Sequence, residues 1–160
     1  MLRIALGFLA SLALNSALAH SPLAPHVHGL AKLDIAVEST ALELLLSVPA
    51  QSLMGFEHAP QTTQQKAQLA QALNMLKSPA TVFEAPGCTW QRAEATYAQD
   101  TEHADFAAHY QAHCTPSRIS LEPFFKQVKD VHKVQVQLIS THGQEAFHLT
   151  AEQPLLELPQ

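Results

Sequence analysis

The first part of the chain alternates between apolar and polar residues in the way that paired strands do. Residues 32–38 carry apolar side chains at every second position, and residues 42–48 repeat the pattern after a short polar turn. A period of two places one face of a strand on the core and the other toward solvent. The pattern predicts a β-hairpin that ends at Pro49, because proline cannot continue a sheet interior.

A helical pattern follows the connection at residues 51–60. Thr62 and Gln65 fit a capping box, in which two side chains satisfy backbone N–H groups at the start of a helix. Leu69, Leu73 and Leu76 then recur at helical spacing, so we expect them to face the core. Ser78 followed by proline ends the predicted helix.

Residues 104–114 allow two interpretations. As a strand, the segment directs its aromatic and alanine side chains inward, and His103, Asp105, His109 and His113 line the outward face. As a helix, it places His109 and His113 one turn apart on the same face. The regular alternation of aromatic or alanine residues with polar ones favours the strand.

Shorter patterns complete the chain and define the fold class. They predict a strand at residues 88–97, an extended piece at residues 82–83, a short helix within residues 120–127, a hairpin of residues 131–139 and 147–150, and an edge strand at residues 155–158. Together the patterns predict an α+β fold. Antiparallel β-hairpins form a sheet, one principal helix packs on it, and a short second helix and one disulfide complete the domain.

The first 19 residues have the pattern of a secretory signal peptide. Arg3 precedes an apolar run, and Ala17 and Ala19 form a small-x-small cleavage site. The run is shorter than the roughly 20 apolar residues that a spanning helix needs. We expect cleavage after Ala19, export to the periplasm without membrane insertion, and a single α+β domain at residues 20–160.

Cys88 and Cys114 are the only two cysteines of the chain. In an exported protein we expect them to form a disulfide, and the alternative is that both are thiolate ligands of a metal. The segment between them contains the only tryptophan and both tyrosines. It also contains three histidines, so a closed loop would carry candidate metal ligands.

Composition excludes several classes of function. The chain has 14 acidic and 9 basic residues, and its formal net charge is −5. An acidic chain without a basic cluster is a poor binder of nucleic acid or of anionic membrane surfaces. No P-loop, Rossmann glycine pattern, G-x-S-x-G or H-E-x-x-H motif is present, so we expect a protein that is not an enzyme.

Ten histidines make metal binding the leading chemistry, because neutral imidazole is the commonest metal ligand. Three clusters combine histidines with carboxylates or with one another, as zinc sites do. They are His26 with His28, Glu57 with His58, and His103 with Asp105, His109 and His113. The alternatives are a solvated N-terminal arm, a histidine that hydrogen-bonds its loop, and the polar face of an edge strand. We interpret His132, His142 and His148 as surface residues.

Copper is a second candidate metal. If cleavage follows Ala19, His20 becomes the first residue of the mature chain. A free α-amino group and the imidazole of the same residue can chelate copper(II).

The order of the short motifs resembles the ZrgA-like family of bacterial periplasmic zinc-binding proteins. The motifs are H-x-H-G at residues 26–29, G-F-E-H-A-P at residues 55–60, G-C at residues 87–88, H-A-D-F at residues 103–106, and Cys114. The resemblance implies a periplasmic protein that assists zinc acquisition alongside a zinc import system. It implies His28, His58 and His103 as the motif histidines, and it is consistent with a disulfide between Cys88 and Cys114.

The chain departs from this family at one place. Many relatives have a long loop rich in histidine and aspartate before H-A-D-F, whereas residues 98–102 are AQDTE here. The resemblance therefore implies one or two sites within the folded domain. We expect His28, His58 and His103 to converge on one zinc ion, together with Asp105 or Glu57. The alternative is a structural or interaction module of the cell envelope, in which the histidines are incidental.

Overall fold

The structure is a computed structural model that describes Val27 and residues 29–100 and 103–159. The strands are β1 (Leu30–Glu38), β2 (Ala41–Pro49), β3 (Thr89–Gln99), β4 (Ala104–His113), β5 (Arg118–Ser120), β6 (Lys133–Ser140), β7 (Gly143–Leu149) and β8 (Leu155–Glu157). The helices are α1 (Ala50–Met54), α2 (Thr63–Leu76), α3 (Pro79–Val82) and α4 (Glu122–Gln127). None of these helices is long and apolar enough to cross a membrane.

Six strands form one sheet in the order β3-β4-β2-β1-β6-β7, and β5 pairs with β8 in a second, two-stranded sheet. Neighbouring strands are antiparallel except β1 and β6, which are parallel. The predicted α+β fold with one principal helix is confirmed. The parallel pair was not predicted, because it joins strands that are almost a hundred residues apart in the chain.

Alternation along the strands buries one face of the large sheet. Leu33 and Ile35 of β1 and Phe106 and Tyr110 of β4 are at most 1% exposed. The strand interpretation of residues 104–113 is therefore confirmed. Asp105 is also buried, with 7% exposure, although the alternation placed it on the outward face. A buried carboxylate needs partners, so its position bears on the function of this end of the sheet.

The start of α2 follows the capping box predicted from the sequence. The Thr62 hydroxyl accepts from the Gln65 N–H at 3.1 Å, and Gln65 Oε1 accepts from the Thr62 N–H at 3.2 Å. At the other end of α2, the buried Tyr110 hydroxyl donates to the Leu76 carbonyl at 2.6 Å. Side-chain hydrogen bonds therefore satisfy backbone groups at both ends of the principal helix.

Cys88 and Cys114 form a disulfide, with Cα atoms 4.7 Å apart. The bond joins the residue before β3 to the residue after β4 and closes a loop with a sequence separation of 26. A loop of that size stabilises the fold by roughly 3–4 kcal/mol in the chain-entropy model. The pairing leaves neither cysteine as a thiolate ligand.

Three local features differ from the prediction. Residues 50–54 form the short helix α1 instead of an irregular connection. The one-turn helix α3 includes Val82, the first residue of the extended piece expected at residues 82–83, whereas Phe83 is extended. Strand β5 was not predicted at all. Helices this short are stabilised by packing more than by their own sequence preference, and Ala50, Ser52 and Met54 of α1 are buried. Gly55 ends α1 in the left-handed conformation, at φ 78°.

Candidate metal centre

The motif segments that precede β1, follow β2 and precede β4 join the six-stranded sheet at the same end. Pro49, the last residue of β2, pairs with Asp105 near the start of β4. Lys32 of β1 pairs with Ser47 of β2, so β1 begins at the same level. The H-x-H-G segment leads into β1 at this end, α1 and the G-F-E-H-A-P loop follow β2, and His103 immediately precedes β4. The predicted ligands His26 and His28, and also His20, lie outside the described residues.

The loop after α1 selects the tautomer of the neutral His58 ring. Nδ1 of His58 is 3.0 Å from the Ala59 carbonyl oxygen. Because a carbonyl oxygen can only accept, Nδ1 carries the proton and donates it. The neutral ring then has its lone pair on Nε2, which is the form that binds a metal through Nε2.

The capping box supports the same tautomer of His58. The Oε1 atom of Gln65 accepts from the backbone N–H groups of Gln61 at 2.9 Å and of Thr62 at 3.2 Å. The amide nitrogen of Gln65 therefore points the other way, and it lies 3.5 Å from Nε2 of His58. That distance is long for a hydrogen bond, so Nε2 is held in place but only weakly engaged. The Phe56 ring stacks on the imidazole with centroids 4.9 Å apart.

Glu57 provides a carboxylate beside His58. Its Oε1 atom is buried, and no hydrogen-bond donor among the described residues reaches it. A buried carboxylate oxygen without a donor is unfavourable, and a bound cation would remove that penalty. The donor set of Glu57 and His58, a carboxylate next to an imidazole with an accessible lone pair, therefore fits zinc.

His103 and Asp105 lie at the turn between β3 and β4. The Asp100 carboxylate accepts from the His103 N–H at 2.7 Å, and the Asp100 N–H donates to the His103 carbonyl at 2.9 Å. These bonds fix the backbone of His103, and its side chain is half-buried. Two residues further, the buried Asp105 adds a carboxylate at the same end of the sheet.

In the described part of the chain, no group of three or more histidine, cysteine or acidic side chains is close enough to hold one metal ion. Glu57, His58, His103 and Asp105 therefore share one end of the sheet without forming a complete coordination shell there. His28 lies outside the described residues, so the sequence prediction that adds it to these four residues stays a prediction.

The structure places His109 and His113 farther along β4, on the sheet face opposite the helices. His109 Nε2 is 2.6 Å from Glu43 Oε1, and Gln111 also donates to that oxygen at 3.3 Å. His113 is exposed and pairs in register with residues of β2 and β3. A strand rises by about 3.4 Å per residue, so the Cα atom of His109 lies roughly 14 Å from the Cα atom of Asp105 along β4.

His132 lies at the same end of the sheet as the motif segments, which the sequence did not indicate. Its backbone N–H donates to the Gly29 carbonyl at 2.8 Å, and the Lys133 N–H donates to the same oxygen at 3.1 Å. This contact depends on the parallel pairing of β1 with β6, for which the local sequence around His132 gives no signal. His142 lies in the turn between β6 and β7, and His148 is exposed on β7.

Comparison with known proteins identifies the family. Among curated proteins, none matches this chain. A family model described as the ZrgA family zinc uptake protein matches residues 25–158, a range that contains every strand and helix of the structure. The resemblance inferred from the motifs is therefore confirmed, and a zinc-related role follows from it. The chain belongs to the ZrgA family of zinc uptake proteins.

Proposed function

We propose that this protein is an exported, periplasmic zinc-binding protein that assists zinc acquisition and works alongside a zinc import system. In this proposal it is a binding protein and not a catalyst. The observation that carries the proposal is the loop after α1, where the Glu57 carboxylate has a buried oxygen without a donor and His58 keeps the lone pair of Nε2 accessible. Membership of a zinc uptake family supports zinc as the ion that is carried.

The proposed ligands are His58 and Glu57, with His103 and Asp105 from the start of β4. The sequence adds His28 from the H-x-H-G segment. The hydrogen bond from Nδ1 of His58 to the Ala59 carbonyl orients the ring in the way that outer-shell partners of metal-bound histidines do. Zinc binding requires neutral imidazole, so affinity should fall below a pH of about 6.5, where histidine takes up a proton.

The position of the loop suits a carrier that must release its ion. His58 is exposed, and so are its neighbours Gly55 and Ala59. A zinc ion bound there would remain accessible to a partner protein, and we propose that a component of the import system receives it. A zinc site closed off from solvent inside the protein would release the ion more slowly.

The test is a zinc titration of the mature protein without a histidine tag. We expect His58→Ala combined with His103→Ala to weaken zinc binding at least about tenfold, which corresponds to about 1.4 kcal/mol. The matched control is His142→Ala combined with His148→Ala, which removes two exposed histidines from β7 and the turn before it. Equal zinc affinity in the two double variants would contradict the assignment of the site.

A further inference from the structure

Strand β7 forms one edge of the six-stranded sheet, and no strand of the described residues pairs with its outer side. Residues 143–149 all pair with β6, without a register shift. Outside this ladder, no backbone hydrogen bond within the described part of the chain involves these residues. A row of N–H and C=O groups on the outer side of β7 is therefore able to pair with another extended chain.

The opposite edge strand, β3, has features that discourage such pairing. Its register with β4 shifts at a bulge between Trp90 and Arg92, and Arg92 forms an ion pair with Glu94 on the same strand. Bulges and charged side chains are the usual protection of an exposed edge. Strand β7 has no bulge, no proline and no lysine or arginine, and Glu145 is its one acidic residue. Of the two edges, β7 is therefore the one that is open to a partner strand.

Both faces of β7 leave room for a neighbouring strand. Of its seven residues only Leu149 is buried, and Phe147 is half-buried at the margin of the core. Glu145, on the same face as Phe147, and Ala146, on the opposite face, are exposed. A strand added at this edge would extend the sheet and cover the exposed part of the Phe147 side chain.

A second copy of the chain fits this edge, because β7 can pair with itself about a two-fold axis perpendicular to the sheet. Such pairing is antiparallel and keeps the helices of both copies on the same side. A register centred on Ala146 pairs all seven residues and places Gln144 opposite His148 twice. Glu145 then lies opposite Phe147, so no like charges are directly opposed.

The neighbouring registers are less favourable. A register centred on Glu145 would place the two Glu145 carboxylates opposite each other, which is destabilising. A register centred on Phe147 would pair only residues 145–149 of each strand. The register centred on Ala146 is therefore the longest one that avoids opposing like charges.

We propose that β7 is a homodimer interface, through which two copies of this chain join their six-stranded sheets into one continuous sheet. This inference does not depend on zinc binding and goes beyond the proposed function. A single strand pair buries less than the roughly 1,200–2,000 Å² of stable interfaces, so we expect a reversible dimer with a Kd on the order of 10–100 µM.

The dimer leaves both candidate metal centres accessible. Leu149 pairs with Val134, and the nearby His132 N–H donates to the Gly29 carbonyl, so Leu149 marks the end of β7 nearest the motif segments. Because the two β7 strands are antiparallel, the motif segments of the two copies lie at opposite ends of the joined sheet. Neither His58 loop faces the other copy.

The test is sedimentation velocity of the mature, oxidised protein without a histidine tag, over a concentration series that spans this Kd. We expect Ala146→Lys and Ala146→Glu each to weaken dimerisation at least about tenfold, because the register brings the two side chains at position 146 together. An equimolar mixture of the two variants should restore a dimer, since opposite charges then meet. Ala107→Lys is the matched control, because Ala107 is an exposed alanine on the same face but in β4, away from the edge.

Three outcomes of sedimentation would overturn the inference. The first is a wild type that stays monomeric over the whole series. The second is a dimer that Ala107→Lys weakens as much as Ala146→Lys does, which would assign the contact to the open face of the sheet. The third is a mixture of Ala146→Lys and Ala146→Glu that stays monomeric, while circular dichroism shows that both variants are folded.

Hydrogen exchange of the wild type tests the same interface without any substitution. The amides of β7 should exchange more slowly as the protein concentration rises, and those of β3 should not; rates in β7 that do not depend on concentration would contradict the dimer. A zinc titration of the same samples separates this inference from the proposed function. A monomeric wild type that binds zinc overturns the dimer alone, whereas a dimer that binds no zinc overturns the proposed function alone.

Discussion

Replacement of Glu57 by glutamine should change stability in opposite directions with and without zinc. In the zinc-free protein, the substitution removes a charge whose Oε1 atom is buried without a donor among the described residues. An unsatisfied buried polar group costs about 1–3 kcal/mol. Glu57 is only half-buried, so the gain in the free energy of unfolding should be smaller, up to about 1 kcal/mol.

With zinc present, the same substitution should reduce stability. At a zinc concentration of 100 times Kd, binding to the folded state stabilises it by about 2.7 kcal/mol. A tenfold loss of affinity in Glu57→Gln would lower that contribution to about 1.4 kcal/mol. The zinc-dependent part of the stability should therefore shrink by about 1.3 kcal/mol, which is more than the gain in the zinc-free protein.

Urea unfolding followed by circular dichroism, with a chelator and then with buffered zinc, measures both quantities. Glu38→Gln is the control, because Glu38 is exposed at the end of β1, far from the loop. We expect the control to leave both measurements unchanged within error. The reasoning is refuted if Glu57→Gln destabilises the zinc-free protein and keeps the full stabilisation by zinc.

Three further predictions concern the elements that support the site. Tyr110→Phe should lower the free energy of unfolding in urea at neutral pH by about 1–2 kcal/mol, because it leaves a carbonyl of α2 without its donor. Burial raises the pKa of Tyr110 above the ordinary value of 10.0, so folding favours the neutral phenol. The free energy of unfolding of the wild type should then fall above a pH of about 10 more steeply than that of Tyr110→Phe, by up to about 1.4 kcal/mol per pH unit. Parallel pH profiles of the two proteins would contradict a raised pKa of Tyr110 in the folded state. Gln65→Leu should cost about 1 kcal/mol in thermal unfolding through the lost cap and weaken zinc binding to His58 in calorimetry, whereas unchanged affinity would show that the cap does not orient the ring. Cys88→Ser with Cys114→Ser should lose roughly 3–4 kcal/mol of unfolding free energy but keep zinc affinity, and a large loss of affinity would link the disulfide to the site.

The local parts of the fold could be predicted from the sequence. The β1–β2 hairpin and β4 follow from strict alternation, and the capping box of Thr62 and Gln65 marks the start of α2. Each of these signals lies within a few residues of the element that it predicts. Helix α1 is too short to show a period, so its packing against the core determines it instead.

The non-local parts could not be predicted. The parallel pairing of β1 with β6 brings His132 to Gly29, and these residues are remote in the sequence. Burial of Asp105 likewise depends on the neighbours of β4 and not on its own alternation.

For the candidate site, the sequence indicated the segments that carry it but not their arrangement, and the assignment of the ligands stays a prediction. The motif order pointed to His58 and His103, which do lie on segments that meet at one end of the sheet. Spacing alone could not show that His109 pairs with Glu43 on the open face. The tautomer of His58 depends on the Ala59 carbonyl, so only the folded loop reveals it.

The most direct test of the central claim is calorimetry of the tag-free chain that begins at His20, titrated with zinc and separately with copper(II), at neutral pH with a competing chelator. The account predicts saturable zinc binding of submicromolar affinity, with one or two ions per chain. Tight copper(II) binding with weak zinc binding would contradict it and assign the metal to His20. Weak binding of both metals without defined stoichiometry would also contradict it and leave the histidines of this zinc uptake family member without a role as ligands.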